Sequence, residues 1–472
     1  MKRRNFLQNT ALAGAGLFLN HTFPFTSATG FPKVRRPLNE RNFRSKAIED
    51  AIDMFKTHVK NEELVWLFEN CFPNTLDTTV FFESKDGIPD TYVITGDIDA
   101  MWLRDSSAQV WPYLQFAVRD TSLKQLIAGV INRQVECILR DPYANAFYKD
   151  PEKTGEWAKD LTEMKPGVHE RKWEVDSLCY PVRLAYHYWK NTGDTGPFND
   201  RWMASVKLIY KVFREQQRKN GQGPYKFQRT TPVATDTLPM SGYGYPVNPV
   251  GLICSSFRPS DDATVFSFLI PSNFFAVVSL KQAAEMIEKI GKDHETSENL
   301  LMLAQEVEQA LKEHAVVHHK VFGDIYAYEV NGFGSFNLMD DANIPSLLSL
   351  PYLGAVDKTD PVYVNTRKFV LSKHNPFFFK GQAGEGIGGP HVGMDMIWPL
   401  SIIMRGLTST DADEKKLCIE MLKKSHGGTG FMHESFYKDD AAKFTRSWFA
   451  WANTLFGEFL WNTYQTEPHL LL

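Results

Sequence analysis

The sequence predicts an all-α fold, an (α/α)6 barrel in which six helical hairpins form a closed ring. Three observations predict it. Helical periodicity dominates the chain, the helices come in consecutive pairs joined by short turns, and the connections between pairs are long and rich in Gly, Pro and aromatic residues. Because no long low-complexity linker interrupts residues 40–465, we expect this stretch to form a single domain.

Five hairpins follow from the periodicity and from the start and stop signals of the helices. They pair 106–118 with 121–140, 174–191 with 198–219, 272–291 with 294–317, 343–350 with 360–372, and 394–407 with 410–425. A first helical region at 44–72 and a last helix at 446–463 have no sequential partner, so their pairing would close the ring. Short β elements are expected in the long connections, at 78–84 with 92–95 and around 321–330.

Composition excludes some classes of partner. The formal net charge of -4 argues against a nucleic acid, and the 11 Trp suit stacking on sugar rings as well as a large helical core. The cysteines are odd in number, far apart and set in apolar sequence, which favours free core thiols over disulfides or a zinc site. They are Cys71, Cys137, Cys179, Cys254 and Cys418.

The first 28 residues have the pattern of an export signal. A charged start is followed by a short apolar run from Ala11 to Leu19 and by small residues near Ala28. Arg3-Arg4 indicates the twin-arginine form, which exports folded proteins. We therefore expect a periplasmic protein, and a monomer is the favoured oligomeric state.

Charged residues cluster where the chain enters the first helix of each pair. The stretch GDIDAMWLRDSSAQVWPYL, residues 96–114, combines such charges with tryptophans. The clusters are Asp97, Trp102, Arg104 and Asp105; Glu174 and Asp176; Arg258, Asp261 and Asp262; Asp340 and Asp341; His391 and Asp395; and His433, Glu434 and Arg446. In a closed ring of hairpins these entrances meet at one mouth, which would turn the separate clusters into one pocket.

Several chemistries fit such a pocket poorly. His318-His319 is adjacent in sequence and lies beyond a helix, so no metal site is expected. No GxSxG elbow is present, and the glycines at 384–389 do not follow a strand, which makes them a weak phosphate signal. The two-carboxylate chemistry of glycoside hydrolysis remains, and no cofactor is expected.

Two acids are the best candidates for that chemistry. Asp176 lies beside Leu178 and Tyr180, a setting that favours a protonated carboxyl and hence a general acid. Glu434 follows a glycine-containing loop, where it could hold a water. For each acid, an ion pair or a helix cap is the alternative role. Candidates for binding sugar hydroxyls or faces are Asp97, Trp102, Arg104, Asp105, Arg258, Asp262, His391 and Arg446.

Four motifs in order give the sequence a resemblance that covers essentially the whole chain after residue 28. GDIDAMWLRDSSAQVWPYL, WEVDSLCYP, FRPSDDA and MHESF…FTRSWFAWANTLFGE together resemble glycoside hydrolase family 125, the exo-α-1,6-mannosidases. The resemblance implies an (α/α)6 barrel, metal-independent hydrolysis with inversion, and release of terminal α-1,6-mannose from mannose-containing glycans. It also implies that Asp176 is the general acid and Glu434 the general base.

Two other functions stay open at the level of sequence. One is a different carbohydrate-active enzyme of the same fold, either another α-glycosidase or a polysaccharide lyase. The other is an exported glycan-binding protein without activity. Carboxylates at both 176 and 434 argue against the inactive protein.

Overall fold

The structure is a computed structural model that describes residues 30–472. Helices contain most of the residues in its ordered elements, and the strands are short. The helices are α1 Lys46–His58, α2 Glu62–Cys71, α3 Asn74–Thr78, α4 Leu103–Val110, α5 Thr121–Arg140, α6 Val175–Thr192, α7 Asp200–Gln216, α8 Ile270–Met286, α9 His294–His314, α10 Pro361–Val370, α11 Pro399–Thr408, α12 Ala412–Ser425 and α13 Ala450–Thr466. The expected export signal at 1–28 lies outside the described residues.

The strands form six small sheets in the connections between helices. Their order in the sheets is β1-β2, β3-β4-β5, β6-β9-β10, β7-β8, β11-β12 and β13-β14-β15. Their bounds are β1 Val80–Lys85, β2 Ile88–Val93, β3 Met101–Trp102, β4 Ala146–Phe147, β5 Val168–Glu170, β6 Phe268–Leu269, β7 Val316–His319, β8 Gly323–Tyr326, β9 Glu329–Val330, β10 Phe336–Asn337, β11 Phe378–Lys380, β12 Glu385–Ile387, β13 Met396–Ile397, β14 Phe436–Tyr437 and β15 Asp440–Phe444.

The helices fall into an inner and an outer set. Helices α4, α6 and α8 contact one another in succession, and α13 contacts both α4 and α11. The outer helices α5 and α9 bury one face and pack on this inner set, as amphipathic helices do. The last helix also packs on α2 and α3, which confirms the predicted contact between the first and last helical regions.

The two sets begin differently. Seven helices start after a side chain that accepts a backbone N–H of the first turn, which satisfies one of the donors left free at a helix start. These N-caps are Ser45, Asn61, Asp120, Asn199, Asp293, Asp360 and Asp411. The inner helices α4, α6, α8, α11 and α13 have no such cap. Two of them, α4 and α8, directly follow the two-residue strands β3 and β6, and α11 begins one residue after β13.

One predicted helix is wrong. Residues 343–350 form a buried series of turns, because polar side chains take the backbone donors that a helix would use. The Asp340 carboxylate accepts the N–H groups of Leu347 and Leu348, and Ser346 and Ser349 bond each other's backbone N–H. The predicted single region at 44–72 is divided into α1 and α2.

Two other expectations, one on the first strand pair and one on the cysteines, are confirmed. Strands β1 and β2 pair antiparallel across the Asp86-Gly87 turn, and the five cysteines are free and buried. Within residues 30–472, no helix is both long enough and apolar enough to cross a bilayer.

Candidate active site

The loops that enter the inner helices carry the charged clusters predicted from the sequence. Three of these loops contain a non-glycine residue with a positive φ angle, at Asp261 (65°), Asp395 (66°) and Arg446 (64°). Such backbone conformations cost free energy and are concentrated in proteins at functional sites. The loops therefore have the strain expected of a binding or catalytic region.

The first cluster surrounds a single guanidinium. Arg104 Nη1 donates to Glu174 Oε2 at 2.6 Å and to Asp176 Oδ2 at 3.1 Å, while Nη2 donates to Asp261 Oδ1 at 3.2 Å. The Asp105 carboxylate lies 3.5 Å from Arg104 Nε. We call these five residues the Arg104 cluster. Four carboxyls around one cation leave an excess of negative charge unless some of them hold protons.

Burial raises the pKa values of the two central acids. The pKa of Asp176 rises to about 6, and that of Glu174 rises well above its ordinary value, although the charge of Arg104 opposes both shifts. The Asp176 side chain has 0% exposure. The raised pKa expected at Asp176 is thus found, but this carboxyl has no exposed surface.

A short hairpin brings a further acid to the same place. An antiparallel bridge between Phe257 and Ala263 closes the 257–263 hairpin, and the Arg258 N–H donates to the Asp262 carbonyl at 2.8 Å. The Asp262 carboxylate has one oxygen 3.5 Å from His391 Nδ1. Its other oxygen, Oδ2, has no hydrogen-bond partner among the described residues.

The other polar side chains of this hairpin form hydrogen bonds to residues outside 257–263. Arg258 Nε donates to Glu329 Oε1 at 2.7 Å, and Ser260 Oγ donates to Asp341 Oδ2 at 3.0 Å. Asp261 is held by the Arg104 cluster. Asp262 is therefore the acid of the hairpin with a buried oxygen that no described group of the protein satisfies.

The predicted base lies on a different loop. Glu434 Oε1 is 3.4 Å from Arg446 Nη1, and the Glu434 side chain is 8% exposed. Arg446 Nη2 also donates to the Thr95 carbonyl at 3.2 Å and to the Asp97 carboxylate, which is 45% exposed. Arg446 is thus shared between two carboxylates, and its contact with Glu434 is the longer one.

Aromatic side chains connect the two acid-bearing loops. The His391 ring lies 6.3 Å from Trp398, and Trp398 lies 6.1 Å from Phe449. The Arg446 guanidinium lies 5.3 Å from the Phe449 ring. This chain of contacts runs from the neighbour of Asp262 to the neighbour of Glu434. Residues 30–472 show no hydrogen bond between the two carboxylates themselves.

The structure thus groups most of the sequence candidates. Arg104, Asp105 and Asp176 share one cluster, and Asp262 adjoins His391 and Arg258. Arg446 adjoins both Glu434 and Asp97. Trp102 packs edge-on against His169, with ring centroids 5.1 Å apart.

A layer of charges behind the mouth was missed from the sequence. Lys172 Nζ donates to Asp236 at 2.6 Å, and Arg229 bonds Glu170 at 2.9 Å and Asp160 at 2.6 Å. The sequence signal was the run of charges in HERKWE, where buried β5 leads into Trp173. A charged run inside a buried segment requires partners, and these come from distant parts of the chain.

Among the described residues, no three His, Cys, Asp or Glu side chains are arranged so that they could hold a metal ion. The acids of the mouth are instead bonded to guanidinium, ammonium, hydroxyl or N–H groups of the protein.

Comparison with known proteins identifies the family. The family model described as metal-independent alpha-mannosidase (GH125) matches residues 61–461. The chain belongs to glycoside hydrolase family 125. The resemblance found in its sequence motifs is thereby confirmed, and the family supports glycoside hydrolase activity.

Two proteins similar to this GH125 chain span nearly its whole length. The meiotically up-regulated gene 157 protein of Schizosaccharomyces pombe is 43% identical over 467 residues, which cover 95% of this chain and 92% of that protein. A metal-independent alpha-mannosidase from Streptococcus pneumoniae, in a non-productive complex with alpha-1,6-mannobiose, is 41% identical with a TM-score of 0.87. That match covers 90% of this chain and 100% of the other.

A more distant likeness concerns the fold alone. A bacterial glucoamylase bound to acarbose superposes with a TM-score of 0.53 at 15% identity. The match covers 89% of this chain and 59% of the glucoamylase.

Proposed function

We propose that this GH125 protein is an exo-acting α-mannosidase that removes terminal α-1,6-linked mannose with inversion of configuration. The observation that carries the proposal is the Streptococcus pneumoniae relative, which is 41% identical over its full length and was captured with alpha-1,6-mannobiose. The pairing of two acids on separate loops of one mouth supports the hydrolytic chemistry.

The proposal includes a closed (α/α)6 ring with a blind floor. Between α8 and α11 the turns at 343–354 would take the place of a helix, since Tyr180 of α6 donates to the Ile344 carbonyl at 3.0 Å. Deeper along the inner helices, the Glu458 carboxylate accepts from Trp111 Nε1 at 3.1 Å and from Tyr352 OH at 2.9 Å. The Arg183 guanidinium lies against the Trp111 ring, 3.4 Å from its centroid.

This second layer supports exo action. Glu458 lies eight residues into α13, roughly 12 Å along the helix axis from its start. A buried ion and aromatic layer at that depth would block passage of a glycan chain, so only a chain end could enter. Release of one mannose at a time is the expected consequence.

Glu434 is proposed as the general base. Its carboxylate has a single long contact with Arg446 and retains some exposure, so it can accept a proton from a water beside the anomeric carbon. An inverting enzyme needs roughly 6.5–9.5 Å between its two carboxyls to leave room for this water. The location of the acid and the base on different loops is compatible with such a gap.

Two carboxyls compete for the role of the acid. A general acid must touch the glycosidic oxygen, and Asp176 has no exposure and is bonded to Arg104. Each acid has one oxygen with no partner among the described residues, but Asp262 has slight exposure, 5% of its side chain, and lies beside the partly exposed His391. We therefore propose Asp262 as the acid in place of the Asp176 predicted from sequence, and comparison of the two variants decides between them.

The test is an assay of the purified protein on α-1,6-, α-1,2- and α-1,3-linked mannobiose. Hydrolysis of the α-1,6 compound with β-mannose as the first product, seen by proton NMR before mutarotation, is expected. The Glu434→Gln protein, purified in the same way, controls for contaminating mannosidases. Retention of configuration, or oligosaccharide products from a linear α-1,6-mannan, would contradict the proposal. Binding of mannobiose without turnover would favour the inactive glycan-binding protein.

Location and assembly rest on the sequence alone. We propose that the Arg3-Arg4 pattern directs folded export to the periplasm and that the protein is a monomer. Fractionation of the producing cells and light scattering of the purified protein test these two points.

A further inference from the structure

We infer that Asp261 is a positioning residue, whose left-handed backbone conformation directs the neighbouring Asp262 carboxyl toward the glycosidic oxygen. This inference rests on the proposed role of Asp262 as the acid. Asp261 has a φ angle of 65°, a region that most side chains avoid and that Asp, Asn and Gly enter most readily.

Several groups from outside the 257–263 hairpin hold Asp261 in this conformation. Its Oδ1 accepts from Arg104 Nη2 at 3.2 Å and from Asn145 Nδ2 at 3.3 Å. Its backbone carbonyl accepts from Lys172 Nζ at 2.8 Å. Side chain and main chain of one residue are therefore fixed by three different segments of the protein, each buried.

Within the hairpin, Asp261 also makes a turn. Its N–H donates to the Arg258 carbonyl at 2.9 Å, and the next residue returns a bond, since the Asp262 carbonyl accepts from the Arg258 N–H at 2.8 Å. The direction of the Asp262 side chain depends on the backbone at 261, because within residues 30–472 its carboxyl has only the His391 contact to hold it. A rotation of residue 261 into the right-handed region would move that carboxyl away.

Nothing in this arrangement requires Asp261 to touch the substrate. The residue acts through its neighbour, so its loss should resemble a weakened acid. Substrates with poor leaving groups depend on protonation of the glycosidic oxygen, whereas those with acidic leaving groups do not. A loss that depends on the leaving group therefore separates positioning of the acid from general loosening of the fold.

Three substitutions separate the conformation from the carboxylate. Asp261→Asn keeps an acceptor oxygen and tolerates the left-handed region, Asp261→Gly keeps the conformation alone, and Asp261→Ala keeps neither. We expect kcat on α-1,6-mannobiose to fall about tenfold or more for the Ala variant, the factor that corresponds to the cost of a left-handed alanine. The Asn variant should remain within about threefold of the wild type, with Gly between them.

The same variants are assayed on 2,4-dinitrophenyl α-mannoside, whose leaving group needs no proton. There the Ala variant should lose less than about threefold. Ser260→Ala is the matched control, because it removes the neighbouring anchor to Asp341 without changing the conformation at 261. It should affect both substrates equally.

Two results would overturn the inference. One is an Ala variant that loses the same factor on both substrates, and the other is an Asn variant no better than Ala. The proposed function has its own check in Asp262→Asn. If that variant shows no dependence on the leaving group, the assignment of the acid fails, whatever the Asp261 series shows. If it does show the dependence while the Asp261 series does not, only the positioning role is lost.

Discussion

The two acids that stand out in the sequence have opposite surroundings in the fold. Asp176 has no exposure, bonds Arg104 at 3.1 Å, and has a pKa raised to about 6 by burial. Glu434 is 8% exposed, and its described ionic contact is one to Arg446 at 3.4 Å. One carboxyl is sealed inside an ionic cluster, and the other is free to interact with a ligand.

This difference shows what local sequence can and cannot say about an acid. Apolar neighbours in WEVDSLCYP predicted that the pKa of Asp176 would be raised, and the structure agrees. They did not predict whether the carboxyl reaches the mouth. That depends on Arg104 and Asp261, which lie 72 and 85 residues away in the chain. A raised pKa therefore does not by itself make a carboxyl a general acid, because the carboxyl must also reach the glycosidic oxygen.

The largest effect on turnover is expected at Glu434, the more exposed of the two acids. Glu434→Gln should lower kcat by about 10²–10⁴-fold, the usual contribution of a general base. Because water must be activated whatever group departs, mannobiose and 2,4-dinitrophenyl α-mannoside should lose the same factor. Glu298→Gln, at an exposed position on α9, is the control for handling and expression. Near-normal turnover of Glu434→Gln would show that another residue is the base.

A second effect, the dependence of kcat on the leaving group, is expected to distinguish Asp176 from Asp262. Asp262→Asn should lower kcat on mannobiose by about 10²-fold or more and leave the dinitrophenyl substrate much less affected. Asp176→Asn should change both substrates by one common factor, since it disturbs the Arg104 cluster without touching the leaving group. The reverse pattern would restore Asp176 as the general acid.

The inner and outer helices show why sequence predicts some boundaries better than others. Asp120 caps α5 by accepting the Leu123 N–H, and the predicted bounds, 121–140, are those observed. By contrast, α11 begins at Pro399, five residues later than predicted, after the short strand β13. A side-chain cap is written in neighbouring residues, whereas a helix that starts from a strand depends on tertiary pairing.

In the candidate site, too, some features have a local sequence signal and others depend on tertiary contacts. The positions of the charged clusters at helix entrances could be found from the sequence because hairpin topology brings those entrances together. Their internal pairing could not be found. Arg229 bonds Glu170 across 59 residues, and Arg446 bonds Asp97 across 349. Such contacts depend on the tertiary fold and have no signal in the neighbouring sequence.

A third effect concerns the stability of the fold. Asp340, like Asp176, is a fully buried carboxyl whose pKa is raised. Burial raises the pKa of Asp340 to about 8, even though its carboxyl accepts two backbone N–H groups. Between roughly pH 4 and 8 the folded protein holds a proton that the unfolded chain releases. The free energy of unfolding should therefore fall as pH rises, by about 1.4 kcal/mol per pH unit from this group. The contribution is complete below about pH 4 and lost above about pH 8.

Asp340→Asn tests this by removing the titrating proton while keeping an acceptor for the Leu347 and Leu348 N–H groups. Between pH 5 and 7 the wild type should lose about 3 kcal/mol more than the variant in urea unfolding. Asp53→Asn, at an exposed carboxyl on α1, should leave the pH dependence as it is in the wild type. A wild type and an Asp340→Asn variant with parallel pH profiles would show that this carboxyl is ionised in the fold.

The smallest effect on turnover is expected from a chelator. This treatment tests whether any carboxylate of the candidate site is a metal ligand. The loops of the candidate site carry several carboxylates, which are the ligands that a hard cation such as calcium prefers. However, Asp261 is bonded to Arg104, Asp341 to Ser260 and Asn343, and Asp340 to backbone N–H groups, so their lone pairs already have protein donors. Turnover of mannobiose after treatment with EDTA should therefore equal that of the untreated enzyme. A loss restored by calcium or zinc would instead identify Asp261, Asp262, Asp340 and Asp341 as ligands, and the role of Asp262 as a proton donor would have to be abandoned.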